Sequence, residues 1–315
     1  MTLTELKYIV AVAREKHFGH AAEACFVAQP TLSVAIKKLE DELGVTIFER
    51  GGSEISVTPL GAQIVAQAER VLEQTAAIKE IAKQNKDPLA GPLRLGVIYT
   101  VAPYLLPPLV KTMIETVPQM PLVLQENFTA RLIELLRQGE LDAAIMALPF
   151  ADQGLMVQPL YDEPFVVALP KHHAWAQRNA IDAEELKSET MLLLGNGHCF
   201  RDQVLEVCPE MARFSTSSDG IARTFEGSSL ETIRHMVASG IGITVLPKAS
   251  VPDMQSKDGM LRYIPFKEPG PSRRVVIAWR KSFTRQRAIE AVRQAVLACE
   301  LHGVTMLTEA ETAEA

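Results

Sequence analysis

Seven residues near position 90, KDPLAGP at 86–92, separate two parts of the sequence that follow different hydrophobic patterns. Two prolines and a glycine in so short a segment are typical of a domain boundary. Before it, apolar residues recur every three or four positions, as on amphipathic helices. After it, short apolar runs alternate with helical patterns, as in an α/β domain. We therefore predict an α/β protein of two domains, with a hinge at 88–92.

The N-terminal domain, residues 1–58, has the pattern of three helices and a two-stranded wing. The third helix is the clearest, because Pro30 suits a first helical turn and Gly44 suits a C-terminal stop. Its inward positions have helical spacing: Leu32, Ile36, Leu39 and Leu43. The period then changes, which predicts short strands starting at Val45 and Ile55 around a wing tip at 50–53.

A linker helix is predicted over residues 59–87. Thr58 and Pro59 supply an N-cap and a first-turn proline, and the pattern continues to about Asn85, or roughly 40 Å at 1.5 Å per residue. One stripe of mainly apolar residues follows the helix: Leu60, Ile64, Ala68, Val71, Thr75, Ile78 and Ala82. A single helix with such a stripe needs a partner, so we expect it to pair with a second copy in a homodimer.

Composition narrows the class of protein. The 315 residues contain no apolar run near the roughly 18 residues that cross a bilayer, and the start is not a leader, so we expect a cytoplasmic protein without membrane association. Four cysteines are too few for a secreted disulfide framework, and a disulfide in a reducing compartment would be regulatory. The net charge of -6 argues against binding to nucleic acid through bulk charge, but a local basic face remains possible.

The exposed face of the third helix carries small polar and basic residues. These are Thr31, Ser33, Lys37 and Lys38, followed by Arg50 at the wing. The second helix of a helix-turn-helix enters the major groove of double-stranded DNA. Thr31 and Ser33 would then meet base edges, and the three cationic side chains would meet phosphates or the minor groove. An ordinary three-helix domain with solvated lysines remains the alternative from this pattern.

The N-terminal domain resembles the winged helix-turn-helix of the LysR-type transcriptional regulators. The resemblance lies in HFGHAAEACFVAQPTLSVAIKKLEDELGVTIFER at 17–50 and TPLG at 58–61, and it extends over nearly the whole chain. It places the family's DNA-contacting positions on Gln29, Pro30, Thr31, Ser33 and Arg50. Double-stranded DNA and RNA polymerase are then the expected partners, and a homotetramer is the expected assembly.

The same resemblance implies that residues 93–302 form a two-lobed, periplasmic-binding-protein-like α/β regulatory domain. Lobe I would comprise about 93–162 and 268–302, and lobe II about 163–267. We expect residues 303–315 to form a disordered tail.

Two cysteines lie nine positions apart in the regulatory domain, in GNGHCFRDQVLEVC at 195–208. If 200–208 is helical, Cys199 lies at the helix N-terminus beside His198 and near Arg201, which favours its thiolate, whereas Cys208 has apolar neighbours. Nine helical residues separate the two Cα atoms by roughly 13 Å, and a disulfide requires less than about 7 Å. Joining them would therefore require the segment to refold. Two structural cysteines remain the alternative from spacing alone.

The motif GHC-RDQ with a second cysteine nine residues later is similar to the peroxide-sensing OxyR group of the LysR-type family. Four further stretches agree: YTVAPYLLPPLV at 99–110, ALPF at 147–150, LYDEPF at 160–165 and SSLETIRHMVASGIGITVLP at 228–247. The resemblance implies that hydrogen peroxide oxidises Cys199, that Cys208 resolves the product as a disulfide, and that subunit packing and DNA contacts change. It assigns five residues to lining or supporting the peroxide pocket: Thr100, Thr129, His198, Arg201 and Asp202. Some relatives have histidine directly after the threonine that matches Thr129, whereas this chain has Ala130. The effect of this alanine on the reaction with peroxide stays open.

Two other functions fit the residues. An enzyme would use Cys199 as nucleophile and His198 as base, but adjacent residues rarely face each other and no oxyanion-hole motif is evident. A LysR-type regulator could instead sense a small organic ligand in the cleft between the lobes, with Thr100 at a strand end. We predict a regulator that is not an enzyme, with no cofactor and no metal site, and we assign Cys25 and Cys299 to packing.

Overall fold

The computed structural model describes residues 1–49, 55–83, 89–151, 154–207, 224–227, 229–251 and 259–307. Contacts within the chain divide it into two units, one made mainly of residues 1–86 and the other mainly of residues 87–315. Within the described ranges, no helix combines the length and the hydropathy that a membrane span needs.

The N-terminal unit consists of helices and a two-stranded wing in the part that the structure describes. Its elements are α1 (Leu3–Glu15), α2 (Phe18–Ala24), α3 (Gln29–Leu43), β1 (Phe48–Glu49), β2 (Ser56–Val57) and α4 (Pro59–Lys83). β1 and β2 pair antiparallel. The predicted three helices and wing are confirmed. Arg50 and the rest of the wing tip, 50–54, lie outside the described residues.

Helix α3 begins and ends where its sequence predicts. Pro30 stands in the first turn, and Gly44 closes the helix with a φ of 68°, in the left-handed region that favours glycine. Of the four predicted inward side chains, Leu32, Ile36 and Leu39 are fully buried in the core of the unit. Leu43, in the last turn, is 39% exposed, so the prediction is wrong there. The helix thus turns one face inward and leaves the opposite face to solvent.

The first wing strand begins at Phe48 rather than at Val45. The N–H of Ile47 donates to the Glu40 carboxylate at 2.7 Å, so the chain is tied to α3 before it reaches its partner strand. This side-chain contact spans seven residues, and the alternating apolar pattern of the segment does not show it.

Of the apolar stripe predicted along α4, Ile64 and Ala68 pack in the N-terminal core as expected, but Leu60 does not. Leu60 is 49% exposed, whereas Val65 and Ala68 are buried in the N-terminal core, where α4 packs on α1. Gly61 permits this packing, because a Cβ there would lie 2.3 Å from the Ile47 carbonyl oxygen. The start of α4 therefore uses its apolar face within its own unit.

The C-terminal unit alternates strands and helices. Its strands are β3 (Leu93–Ile98), β4 (Leu122–Asn127), β5 (Ala143–Ala147), β6 (Leu155–Pro170), β7 (Met191–Leu194), β8 (Thr224–Gly227), β9 (Thr244–Pro247), β10 (Leu261–Pro265), β11 (Ser272–Arg280) and β12 (Thr305–Met306). Its helices are α5 (Ala102–Thr116), α6 (Thr129–Gln138), α7 (Cys199–Val207), α8 (Leu230–Ala238) and α9 (Gln286–Leu297).

Two lobes of this unit share one long strand. In lobe I, β3 pairs in parallel with β4 and β5, and β11 joins β5 antiparallel. β6 pairs with β11 along its first part and with β9 and β10 along its second part, so it continues from lobe I into lobe II. β7 and β8 add a parallel pair to lobe II, whose core includes residues of β6, β7, α7 and α8. The predicted two-lobed α/β architecture is confirmed.

The C-terminal tail is partly ordered, contrary to prediction. Thr305 and Met306 form β12, which pairs antiparallel with β6, and the N–H of Leu307 donates to the Leu160 carbonyl at 3.0 Å. Leu307 is 7% exposed, so apolar burial and strand pairing together hold this end. Residues 308–315 lie outside the described residues.

Candidate functional site

A small cavity of about 10 Å³ lies beside Cys199, where three chain segments of the C-terminal unit meet. Its lining comes from the end of β3, the β4–α6 junction and the start of α7: Ile98, Tyr99, Thr100, Asn127, Phe128, Thr129, Gly197, His198 and Cys199. The carboxyl ends of two neighbouring parallel strands thus face a helix N-terminus, the place where α/β proteins commonly bind ligands.

Cys199 is the first residue of α7, one position earlier than the helix start that the sequence predicts, and its thiol is free and half-buried. In this first helical turn the N–H of Arg201 donates to the His198 carbonyl at 3.0 Å. Cys208, the predicted partner of Cys199, lies outside the described residues, and α7 is described as far as Val207.

Three rings frame the cavity. The centroid of the Phe128 ring lies 4.8 Å from that of His198 and 5.2 Å from that of Tyr99, both in edge-to-face geometry. Gly197 has a φ of 95°, and a Cβ there would lie 3.3 Å from the Phe128 ring. The positive φ favours glycine at this position, and a Cβ would also crowd the Phe128 ring.

The two threonines of the lining differ in their hydrogen bonds. The Oγ1 of Thr100 accepts from Arg273 at 2.8 Å, and its carbonyl oxygen accepts from the same guanidinium at 3.1 Å. The Oγ1 of Thr129 is buried and has no hydrogen-bond partner among the described residues. A buried hydroxyl left in this state costs about 1–3 kcal/mol. The cavity therefore offers one unused hydroxyl to a small polar molecule.

A buried ion pair that the sequence does not reveal supports Thr100. The guanidinium of Arg273 lies 2.7 Å from the Glu163 carboxylate, and both side chains are 1% exposed. The other oxygen of Glu163 accepts from the Ala249 N–H at 2.9 Å. Arg273 also stacks 5.1 Å from the ring centroid of Phe200, the residue after Cys199. Arg273 thus connects the Thr100 wall of the cavity to the first turn of α7.

Arg201 and Asp202 do not line this cavity. Arg201 is buried and donates to the Leu194 carbonyl at 2.9 Å, and Asp202 is exposed in the first turn of α7. Ala130 is also exposed and lies outside the lining. Any role of Arg201 and Asp202 at the pocket is therefore indirect and stays a prediction.

The other described cysteines are placed differently. Burial raises the pKa of the Cys299 thiol, whose Sγ donates to the Ala295 carbonyl at 3.1 Å. Burial also raises the pKa of the Cys25 thiol, in the core region of the N-terminal unit. Both positions fit the packing role that we expect for them.

The second candidate site is the exposed face of α3. Gln29, Pro30, Thr31, Lys37 and Lys38 are exposed on it, and Ser33 is half-buried. The Nζ of Lys38 is 3.7 Å from the Glu5 carboxylate, but the lysine side chain is 71% exposed. Glu5 is buried, but the lysine is solvated, so it can exchange partners at small cost.

Two protein-family models match the chain. The model of the bacterial regulatory helix-turn-helix protein, lysR family, matches residues 3–62, and that of the LysR substrate binding domain matches residues 86–299. The chain belongs to the LysR family. The resemblance that the sequence shows is thereby confirmed, and α3 is the second helix of a LysR-family helix-turn-helix.

Within the LysR family, the similar proteins carry the name OxyR or describe a response to peroxide. Escherichia coli K12 OxyR, a DNA-binding transcriptional dual regulator, is 39% identical over 95% of each chain. A solved structure of full-length OxyR C199D from Pseudomonas aeruginosa is 52% identical over 98% of each chain, with a TM-score of 0.72. An H2O2-bound mutant of Corynebacterium glutamicum OxyR is 33% identical over 94% of this chain and 91% of that chain, with a TM-score of 0.62.

Proposed function

We propose that this chain is a DNA-binding transcription regulator that senses hydrogen peroxide at Cys199. The observation that carries the proposal is the cavity: a thiol and an unpartnered buried hydroxyl share a space of about 10 Å³. That volume is on the scale of one water-sized molecule. Sites for small organic ligands usually have about 300–1,000 Å³, so the cavity favours peroxide over the organic-ligand alternative. The resemblance to OxyR proteins supports the same conclusion.

The first chemical step is an oxidation of sulfur by the peroxide. The Cys199 thiolate attacks one peroxide oxygen, an S–O bond forms, the O–O bond breaks, and the leaving hydroxide takes up a proton to become water. The Thr129 hydroxyl can donate to or accept from the peroxide and so hold it against the sulfur. The rings of Phe128, Tyr99 and His198 pack against one another beside this position.

The second step joins Cys199 to Cys208. The Cys208 sulfur attacks the sulfenic sulfur, a disulfide forms, and a second water leaves. Because residues 199–207 form a regular helix in the described structure, the bond requires this segment to leave the helix. Phe200 and Val204, which are 2% and 3% exposed, would then lose their places in the lobe II core. We infer that this change alters subunit packing and DNA contacts.

The assembly that we propose is a homodimer paired through α4 and doubled to a homotetramer. Ile78 on the later part of α4 is 67% exposed and offers apolar surface for such a pair. The helix-turn-helix binds double-stranded DNA, and RNA polymerase is the partner through which the regulator acts. Its place of action is the cytoplasm, where the DNA is.

Two single variants of the full-length protein test the thiol chemistry. Cys199→Ser should lose the fast reaction with peroxide altogether, whereas Cys208→Ser should keep it and stop at a sulfenic acid that dimedone traps. Stopped-flow kinetics and mass spectrometry measure the two outcomes. The unsubstituted protein should give a Cys199–Cys208 disulfide in a non-reducing peptide map.

A matched control carries Cys25→Ser and Cys299→Ser together. It should react with peroxide as the unsubstituted protein does, because both thiols have raised pKa values and neither belongs to the lining of the cavity. Equal rates for Cys199→Ser and Cys208→Ser would contradict the assignment of roles. A protein that keeps all four thiols after peroxide treatment would contradict the proposed function itself.

A further inference from the structure

One apolar side chain stands in the middle of the exposed face of α3. Val34 is 69% exposed, and apart from Pro30, one turn before it, its neighbours on this face are polar or basic. Thr31 lies one helical turn before it, and Lys37 and Lys38 lie one turn after it. Val34 is therefore surrounded by the residues that the sequence assigns to DNA contact.

The geometry of the helix places Val34 opposite the core. At 3.6 residues per turn, it lies about 165° around the helix from the mean direction of the three buried residues Leu32, Ile36 and Leu39. Among residues 29–38 it lies most nearly opposite the core, and Asp41, two turns further on, lies on the same side of the helix. Val34 therefore marks the centre of the contact face, and polar Thr31 and cationic Lys37 lie on either side of it.

A valine gains little at this position from the described part of the chain. A β-branched side chain lowers helix propensity relative to alanine, and the exposed Val34 receives almost no burial in return. A partner that covers the side chain would supply that burial.

Charge identifies the partner as DNA. Residues 28–39 contain two lysines and no acidic residue, whereas Glu40, Asp41 and Glu42 follow at the C-terminal end of α3. The N-terminal part of the helix thus presents cationic charge around Val34. In a helix-turn-helix, this part of the second helix contacts base edges in the major groove.

We infer that Val34 reads the C5-methyl group of a thymine and so contributes to sequence preference. The thymine methyl is the apolar group that the standard bases present in the major groove, and apolar side chains recognise it by contact. The inference rests on the proposed DNA-binding function and adds a residue that determines its specificity.

The test removes the C5-methyl group of thymine from the DNA and, separately, the two methyl groups of Val34 from the protein. Duplexes that the full-length protein binds are first enriched from a random-sequence library. Each thymine of an enriched duplex is then replaced singly by deoxyuridine, which lacks only the C5-methyl. For one thymine per half-site, we expect affinity to fall roughly three- to fivefold, as for the loss of one buried methyl-sized contact. The same replacement should have no effect on Val34→Ala.

Lys37→Ala is the matched control, one turn further on the same helix. It should weaken binding to every duplex alike and keep the response to deoxyuridine, because its expected partner is a phosphate. Val34→Ala itself should fold normally, since the side chain is exposed and alanine is the better helix former. A thermal melt of each variant checks this point.

The possible failures are distinguishable. If the unsubstituted protein enriches no duplex, the proposed DNA-binding function fails and the inference fails with it. If it enriches duplexes but no thymine methyl affects affinity, or if the effect persists in Val34→Ala, DNA binding stands and the inference about Val34 is overturned. A change of oligomeric state in Val34→Ala with unchanged deoxyuridine response would assign the side chain to contact with a second copy and also overturn it.

Discussion

The α3 face and the cavity beside Cys199 are constructed in opposite ways. The face lies within ten positions, 29–38, of one helix, and six of its residues are exposed: Gln29, Pro30, Thr31, Val34, Lys37 and Lys38. The cavity combines three short segments, 98–100, 127–129 and 197–199, and it is supported by a buried ion pair from two further strands. A change on α3 should therefore alter a contact with a partner, whereas a change at the cavity should also alter the stability of the fold.

The largest effect on stability is expected for Glu163→Gln. It leaves the buried Arg273 charge uncompensated, so the free energy of unfolding of the C-terminal unit should fall by about 3–5 kcal/mol. Urea unfolding followed by tryptophan fluorescence measures this directly, because both tryptophans, Trp175 and Trp279, belong to this unit.

The matched control for that change is Asp162→Asn, one residue earlier on β6. Asp162 pairs with Arg274 at 2.8 Å, but both side chains are about one-third exposed, so the loss should be at most about 1 kcal/mol. If Glu163→Gln and Asp162→Asn lowered the free energy of unfolding equally, the buried ion pair would be no more important to stability than the exposed one.

The two threonines of the cavity should respond with opposite signs. Thr100→Val removes an acceptor from the buried Arg273 and should lower the free energy of unfolding by about 1–3 kcal/mol. Thr129→Val removes a hydroxyl without a partner and should raise it by about 1 kcal/mol while slowing the oxidation of Cys199 by peroxide. Destabilisation by Thr129→Val as large as that by Thr100→Val would mean that the Thr129 hydroxyl is already satisfied in the fold.

The smallest effect on stability is expected for Lys37→Ala. The free energy of unfolding should change by less than about 0.5 kcal/mol, and the slope of log affinity against log salt should fall by about 1 as one phosphate contact is lost. Lys187→Ala, an equal change of charge on an exposed lysine of the C-terminal unit, should leave the slope unaltered. The comparison between the two regions would be weakened if Lys37→Ala also slowed the reaction of Cys199.

The difference between the regions also decides what the sequence can reveal. The bounds of α3 follow from neighbouring residues, since its period, Pro30 and Gly44 act within a few positions of one another. At the cavity, Cys199 and His198 are adjacent in sequence, but Thr100 and Thr129 were assigned only by resemblance. Arg273 and Glu163 lie 110 positions apart, and no local pattern distinguishes buried charges from solvated ones.

The wrong predictions have the same physical origin. On α4 the spacing includes Leu60 in the apolar stripe, but Leu60 is exposed beside Gly61, whose close approach to the Ile47 carbonyl no sequence pattern shows. The tail was expected to be disordered from its composition, but Leu307 finds a place beside β6.

A space of about 10 Å³ cannot separate peroxide from water by size, because it is on the scale of a single water molecule. Both molecules offer hydroxyl hydrogens and lone pairs to Thr129, so discrimination depends on the O–O bond, which peroxide has and water lacks. Water in the cavity causes no chemical change. Each reaction with peroxide leaves an oxidised cysteine, which persists until a thiol reductant reduces it. The protein that we propose would therefore record the balance between oxidant supply and reducing capacity over time, and its response would have no single dissociation constant.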